Sequence, residues 1–151
     1  MSHLSILPVY RSIHSKHIIH FMKNKLIFFV DDDKMMLNLM EYTFKCRDGF
    51  DVQSFFSGES CLEHLNQNPS LIVLDYYLGE GESTAMSGLD TLKKINESDS
   101  SIPVVILSRE KDKALIQEFL HYGAIRYVIK DDFFINTLIE TVEDYFMEKL
   151  D

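Results

Sequence analysis

Three stretches of this 151-residue chain are apolar without a break, and each runs directly into a polar residue. They are Leu26–Val30 before Asp31, Leu71–Leu74 before Asp75, and Pro103–Leu107 before Ser108. A strand with one wetted face alternates apolar and polar residues, so an unbroken run marks a strand covered on both faces. That is the condition of a parallel sheet sandwiched between helices. A shorter run, Tyr127-Val128-Ile129, ends in Lys130, and Phe50–Phe56 alternates in part as a strand would.

Stretches with helical spacing separate these runs. Met36, Leu37, Met40 and Phe44 mark one face of a helix over 34–45, with Gly49 as its stop. Ser57 caps a second, running to about Asn66, with Cys61, Leu62 and Leu65 inward. Ser87-Gly88-Leu89-Asp90 fits a capping box and opens a third through Leu92 and Ile95. A fourth spans 112–122 and is closed by Gly123. It is apolar on several sides through Leu115, Ile116, Phe119, Leu120 and Tyr122, which suits either a partner-binding face or deeper burial. Ile135, Leu138, Ile139, Val142, Phe146 and Leu150 give an amphipathic fifth helix reaching the C-terminus. Five strands alternating with five helices imply right-handed crossovers and an α/β fold. In such folds the functional crevice lies outside the carboxyl ends of the strands.

Those ends carry Asp31 and Asp32, Asp75, Ser108 and Lys130. Like charges crowded at one edge need a neutralising group, and a divalent cation held by oxygen ligands supplies it. Read from the residues, Asp75 is available as a nucleophile toward a phosphoryl group. Asp31 and Asp32 would hold Mg²⁺, Lys130 would pair with a phosphoryl oxygen, and Ser108 would hydrogen-bond another. Each has a plainer alternative. The Asp31-Asp32-Asp33 triplet could open a helix, Lys130 could be a solvated charge, and Ser108 a turn residue. Their coincidence at one edge is what favours the site, with Asp33 left as the cap of the first helix.

Composition narrows the function classes. A net charge of -9 argues against nucleic-acid binding by bulk electrostatics. No apolar run is long enough to span a membrane. Cys46 and Cys61 are unclustered, which predicts neither a disulfide framework nor a zinc site and suits a reducing cytoplasm. Residues 1–21 stand apart, with Arg11, Lys16, no acid, and His3, His14, His17 and His20. They are expected to be a disordered extension or a start codon placed upstream of a natural beginning at Met22, and to carry no chemistry.

With these residues in place, the chain over 22–151 resembles the receiver domain of two-component response regulators. The resemblance rests on Phe28-Phe29-Val30-Asp31-Asp32, Leu71-Ile72-Val73-Leu74-Asp75, Val104-Val105-Ile106-Leu107-Ser108, and Gly123-Ala124 followed by Tyr127-Val128-Ile129-Lys130. It implies a five-stranded, doubly wound, flavodoxin-like receiver fold with strand order 2-1-3-4-5. It implies that Asp75 is the phosphoacceptor, charged by a phosphohistidine on a sensor histidine kinase or histidine phosphotransfer protein. Asp32 would bind Mg²⁺ directly, Asp31 partly through water, and Asp75 and the backbone carbonyl of Tyr77 would complete the protein ligands. Ser108 falls at the switch hydroxyl and Tyr127 at the switch aromatic. The fourth helix, fifth strand and fifth helix would form the face that engages a downstream protein or a second copy. On this reading the chain is a signalling phosphoacceptor and not a conventional enzyme, acting alone through partners because no output domain follows.

Three residues depart from the family pattern: Asp131 where proline follows the strand-five lysine, Arg109 where a small residue follows the switch hydroxyl, and Gly79 where proline is common. The loop from Asp75 to Gly88 is also longer and adds Glu80 and Glu82. Three rival readings remain. Asp31-x-Asp33 imitates the nucleophile loop of haloacid-dehalogenase-type phosphatases, which would make Asp31 the nucleophile, although Met35 stands where that family has Thr or Val. A flavodoxin-like cofactor binder shares the topology, but three aspartates would repel a cofactor phosphate. A receiver-like docking module would take up no phosphate.

Overall fold

In the computed structural model, residues 23–79, 81 and 84–150 are described. The elements run β1 (Lys25–Val30), α1 (Lys34–Lys45), β2 (Phe50–Phe55), α2 (Gly58–Glu63), a 3₁₀ turn (Leu65–Gln67), β3 (Leu71–Asp75), α3 (Gly88–Ser98), β4 (Val104–Ser108), α4 (Lys113–His121), β5 (Ala124–Ile129) and α5 (Phe134–Glu148). The strands form one parallel sheet in the order β2-β1-β3-β4-β5, as the resemblance implies. The expectations for residues 1–21, Glu80 and Glu82 lie outside the described residues.

The unbroken apolar runs are explained by the two cores they feed. Successive residues of β1 point to opposite faces, so Phe28 and Val30 join Ile72, Leu74, Val104 and Ile106 on one side. Cys61, Leu92, Ile95 and Phe119 from α2, α3 and α4 cover that side. Ile27 and Phe29 join Leu71, Val73, Val105 and Leu107 on the other, beneath Leu37, Met40 and Phe44 of α1 and Leu138 and Val142 of α5. No polar residue could sit in the middle strands without being buried, so the first polar residues appear only where the strands leave the sandwich. That places Asp31, Asp75, Ser108 and Lys130 on one edge.

Local details adjust the sequence expectations. The second helix ends at Glu63 and continues as a 3₁₀ turn over Leu65–Gln67, whose Leu65 packs against the core. The fifth helix stops at Glu148, and Leu150 lies exposed beyond it. The fourth helix divides its apolar surface between core and solvent. Phe119 is fully buried, Leu115 and Tyr122 pack against the core, and Leu120 is the large apolar side chain left exposed. Gly123 closes the helix at φ +102°, a conformation an L side chain rarely adopts. Both cysteines are free, Cys46 exposed and Cys61 buried, and burial pushes the Cys61 thiol up to about 12. No helix among the described residues is long and apolar enough to cross a membrane.

Candidate functional site

The site begins at the end of β1. Asp31 continues the strand's hydrogen bonding, its N–H donating to the Phe55 carbonyl at 3.1 Å, so its side chain leaves the core from a fixed point. It is 1 % exposed, and its Oδ1 accepts from the Asp33 N–H at 2.9 Å. Asp33 turns the other way. Its Oδ1 accepts from the N–H groups of Met35 and Met36 at 2.8 and 3.3 Å, capping α1 as expected. Asp32 between them is exposed and accepts from the Gly79 N–H at 3.3 Å, which ties it to the loop after β3.

Asp75 ends β3 and is 5 % exposed. Carboxylate oxygens of Asp31, Asp32 and Asp75 all lie within 4.8 Å of one another. Lys130, just past β5, reaches into this cluster: its Nζ donates to Asp31 Oδ2 at 2.8 Å and to Asp75 Oδ1 at 2.9 Å. Burial, then the charge of Asp31, pushes the Asp75 carboxyl up to about 6, against the opposing hydrogen bond from Lys130. Burial works against the Lys130 charge too, but the hydrogen bonds it donates to Asp31 and Asp75 outweigh it and hold the ammonium above its ordinary range. One cation is therefore bonded to two of the three clustered carboxylates. The peptide bonds of the described residues are all trans, so Lys130 reaches both partners with Asp131 after it.

A cavity of about 330 Å³ opens over these groups, lined by Asp31, Asp32, Asp33, Asp75, Tyr77, Arg109 and Lys130. Ser108 and Tyr127 do not line it. The Ser108 hydroxyl is fully buried and accepts from the Glu110 N–H at 3.1 Å. The Tyr127 hydroxyl donates to the Glu110 carbonyl at 3.0 Å. Glu110 is thus held through both backbone groups by the two residues the sequence singled out as switch positions. Its carboxylate in turn accepts from the Tyr77 hydroxyl. The rings of Tyr77, Tyr76, Phe119 and Tyr127 follow one another at 4.6, 5.0 and 6.0 Å, running from the loop after β3 to β5.

Two contributors escaped the sequence reading. Glu110 had no motif to mark it, since its role is made by the fold of the β4–α4 loop. Gly88 was read only as part of a helix cap. A Cβ there would stand 2.5 Å from the Asp75 carbonyl oxygen and 2.6 Å from that of Tyr76, so α3 can approach the end of β3 only through glycine. The small residue after a capping serine was the available signal.

The described geometry is a cluster of three carboxylates, two of them bridged by a part-buried lysine, at the carboxyl edge of a 2-1-3-4-5 parallel sheet. The family model for the response regulator receiver domain matches residues 27–143.

The chain belongs to the response regulator receiver domain family.

Relatives agree. The alkaline phosphatase synthesis transcriptional regulatory protein PhoP of Bacillus subtilis is 32% identical over 111 residues, covering 71% of this chain and 42% of PhoP. The two-component response regulator ORR5 of Oryza sativa subsp. japonica is 38% identical over 85 residues, covering 54% of this chain and 60% of ORR5. The chain thus spans less than two thirds of these relatives. Among solved structures, the Francisella response regulator 1452 receiver domain superposes with a TM-score of 0.73 at 27% identity, covering 83% of this chain and 99% of that one. Receiver domains are signalling phosphoacceptors of two-component systems, interact with histidine kinases, and generally use Mg²⁺ at an acidic pocket. Family membership removes the phosphatase and flavin-binder readings from consideration.

Proposed function

We propose that this receiver domain, over 22–151, accepts a phosphoryl group on Asp75 from the phosphohistidine of a sensor histidine kinase or histidine phosphotransfer protein. A carboxylate oxygen of Asp75 attacks phosphorus, the O–P bond forms as the P–N bond breaks, and the leaving imidazole keeps the electron pair and takes a proton from solvent. The observation that carries this reading is the Lys130 ammonium bonded to both Asp31 and Asp75 in the floor of an open acidic cavity. A nucleophile must be reachable, and the charge arriving with the phosphoryl group must be met by cations already in place.

The donor set suits Mg²⁺, because three carboxylates cluster there and burial, then the charge of Asp31, raises the Asp75 carboxyl, the mark of a site short of positive charge. Asp31, Asp32, Asp75 and the Tyr77 backbone carbonyl would hold the ion, which when bound would neutralise phosphoryl oxygens during transfer. Lys130 would pair with another oxygen.

Ser108 would leave the Glu110 N–H to donate its hydroxyl to the phosphoryl group. Tyr127, bonded to the same residue's carbonyl, would respond by moving inward, shifting the face of α4, β5 and α5. A downstream protein or a second copy would read that face, in a cytoplasmic setting.

The test is incubation with phosphoramidate and Mg²⁺ followed by intact-mass measurement. Wild type should gain one phosphoryl group, and Asp75→Asn should gain none. A gain that survives the substitution would remove Asp75 from its role. A folded wild type that gains none would favour a docking module instead.

A further inference from the structure

We propose that Arg109 is a second phosphoryl-binding cation of the Asp75 site, meeting from the rim the group that Lys130 meets from the floor. The inference rests on the phosphoacceptor reading above. Arg109 follows Ser108, the buried last residue of β4, and lines the same 330 Å³ cavity as Asp75, yet is itself exposed. Among the described residues it has no ion pair. The nearest acid in sequence, Glu110, makes no ion pair with it, and its carboxylate accepts from the Tyr77 hydroxyl instead.

The backbone on either side of Arg109 is anchored. Ser108 is fixed in the sheet, and Glu110 is held through its N–H by Ser108 and through its carbonyl by Tyr127. The side chain therefore swings from a stationary root beside the cavity.

Charge bookkeeping shows what such a cation would do. An aspartyl phosphate carries close to two negative charges, and Asp31 and Asp32 add two more. Lys130 and a divalent ion return three positive charges, leaving the site about one charge short. Arg109 supplies that charge. Its planar fork of N–H donors matches phosphoryl oxygens better than a point charge does. It would hold the phosphoryl group in transit and on Asp75, where the charge deficit falls, and so favour transfer onto Asp75.

The test compares the wild-type chain with Arg109→Ala and Arg109→Lys in Mg²⁺. Two readouts are used: the rate of phosphoryl uptake from phosphoramidate by intact mass, and the affinity for beryllofluoride, a non-transferable mimic of the phosphoryl group. The latter is followed by tyrosine fluorescence, since the chain has seven tyrosines and no tryptophan. Arg109→Ala should lower both by about tenfold, the scale of one charge-assisted hydrogen bond at a partly solvated site, while Arg109→Lys stays within about threefold of wild type. The urea midpoint should be unchanged, because the side chain is exposed. Arg109→Ala within about twofold of wild type in either readout, or faster in uptake, would overturn the proposal while leaving the phosphoacceptor reading intact. Wild type that takes up neither phosphate nor beryllofluoride would overturn both.

Discussion

Lys130 Nζ stands 2.9 Å from Asp75 Oδ1 and only 9 % of the lysine side chain is exposed, so the cation and the carboxylate opposite it are both buried. The same nitrogen bonds Asp31, which makes Lys130 the link between the ends of β1, β3 and β5. Breaking a buried pair by deleting one partner leaves the other charge uncompensated. Lys130→Met should therefore cost about 2–4 kcal/mol of unfolding free energy at pH 7.5. Urea denaturation without divalent ions measures this. The three carboxylates would then repel one another unopposed, so added Mg²⁺ should raise the melting temperature of Lys130→Met more than that of wild type.

Asp75 gives a pH dependence of defined sign. Its folded value of about 6 lies above the ordinary 3.8, so the native state binds the proton more tightly than the unfolded chain. Stability from this group is fully present below about pH 4, falls as pH rises between about 4 and 6, and stays low above that. Asp75→Asn does not ionise and keeps an oxygen for Lys130. In EDTA it should be more stable than wild type by about 1–2 kcal/mol at pH 7.5, with the gain disappearing near pH 4. Thermal or urea melts at the two pH values check this, and a constant difference would contradict it.

Gly88→Ala tests the close approach of α3 to β3. The added methyl meets the Asp75 and Tyr76 carbonyl oxygens inside contact distance, and backbone cannot yield as a flexible side chain can. A loss of about 2–4 kcal/mol is expected, although alanine is the better helix former. Because the displaced backbone carries Asp75 and leads into Tyr77, the Mg²⁺-induced rise in melting temperature should shrink as well.

Ser108→Ala removes the acceptor for the Glu110 N–H. Hydrogen exchange at the Glu110 amide should accelerate, while global stability changes by no more than about 1–2 kcal/mol. Tyr77→Phe frees the Glu110 carboxylate from the other side and should mobilise the same loop. Unchanged exchange at Glu110 in both variants would remove it as the residue joining the cavity wall to Tyr127.

The sheet was legible because burial on both faces leaves a mark in one dimension. Phe28 and Phe29 feed opposite cores, and both must be apolar. The polar residues that end such runs share an edge by topology, so Asp31, Asp75, Ser108 and Lys130 could be grouped before any coordinates. Asp33 as a cap was legible for a different reason, since capping is local and acts within three residues.

How those groups divide their contacts is set by packing between distant segments. Lys130 shares itself between carboxylates 99 and 55 residues away in sequence, and no spacing rule encodes that. Glu110 acquires its place because Ser108, Tyr127 and Tyr77 converge on one loop residue from three segments. The apolar surface of the fourth helix was ambiguous in sequence for the same reason. Whether Leu115 and Tyr122 meet solvent or core depends on what lies opposite, and the core lies opposite. Periodicity and strand ends report a residue's relation to the chain; pairing between buried charges depends on distances set by the packing of distant segments.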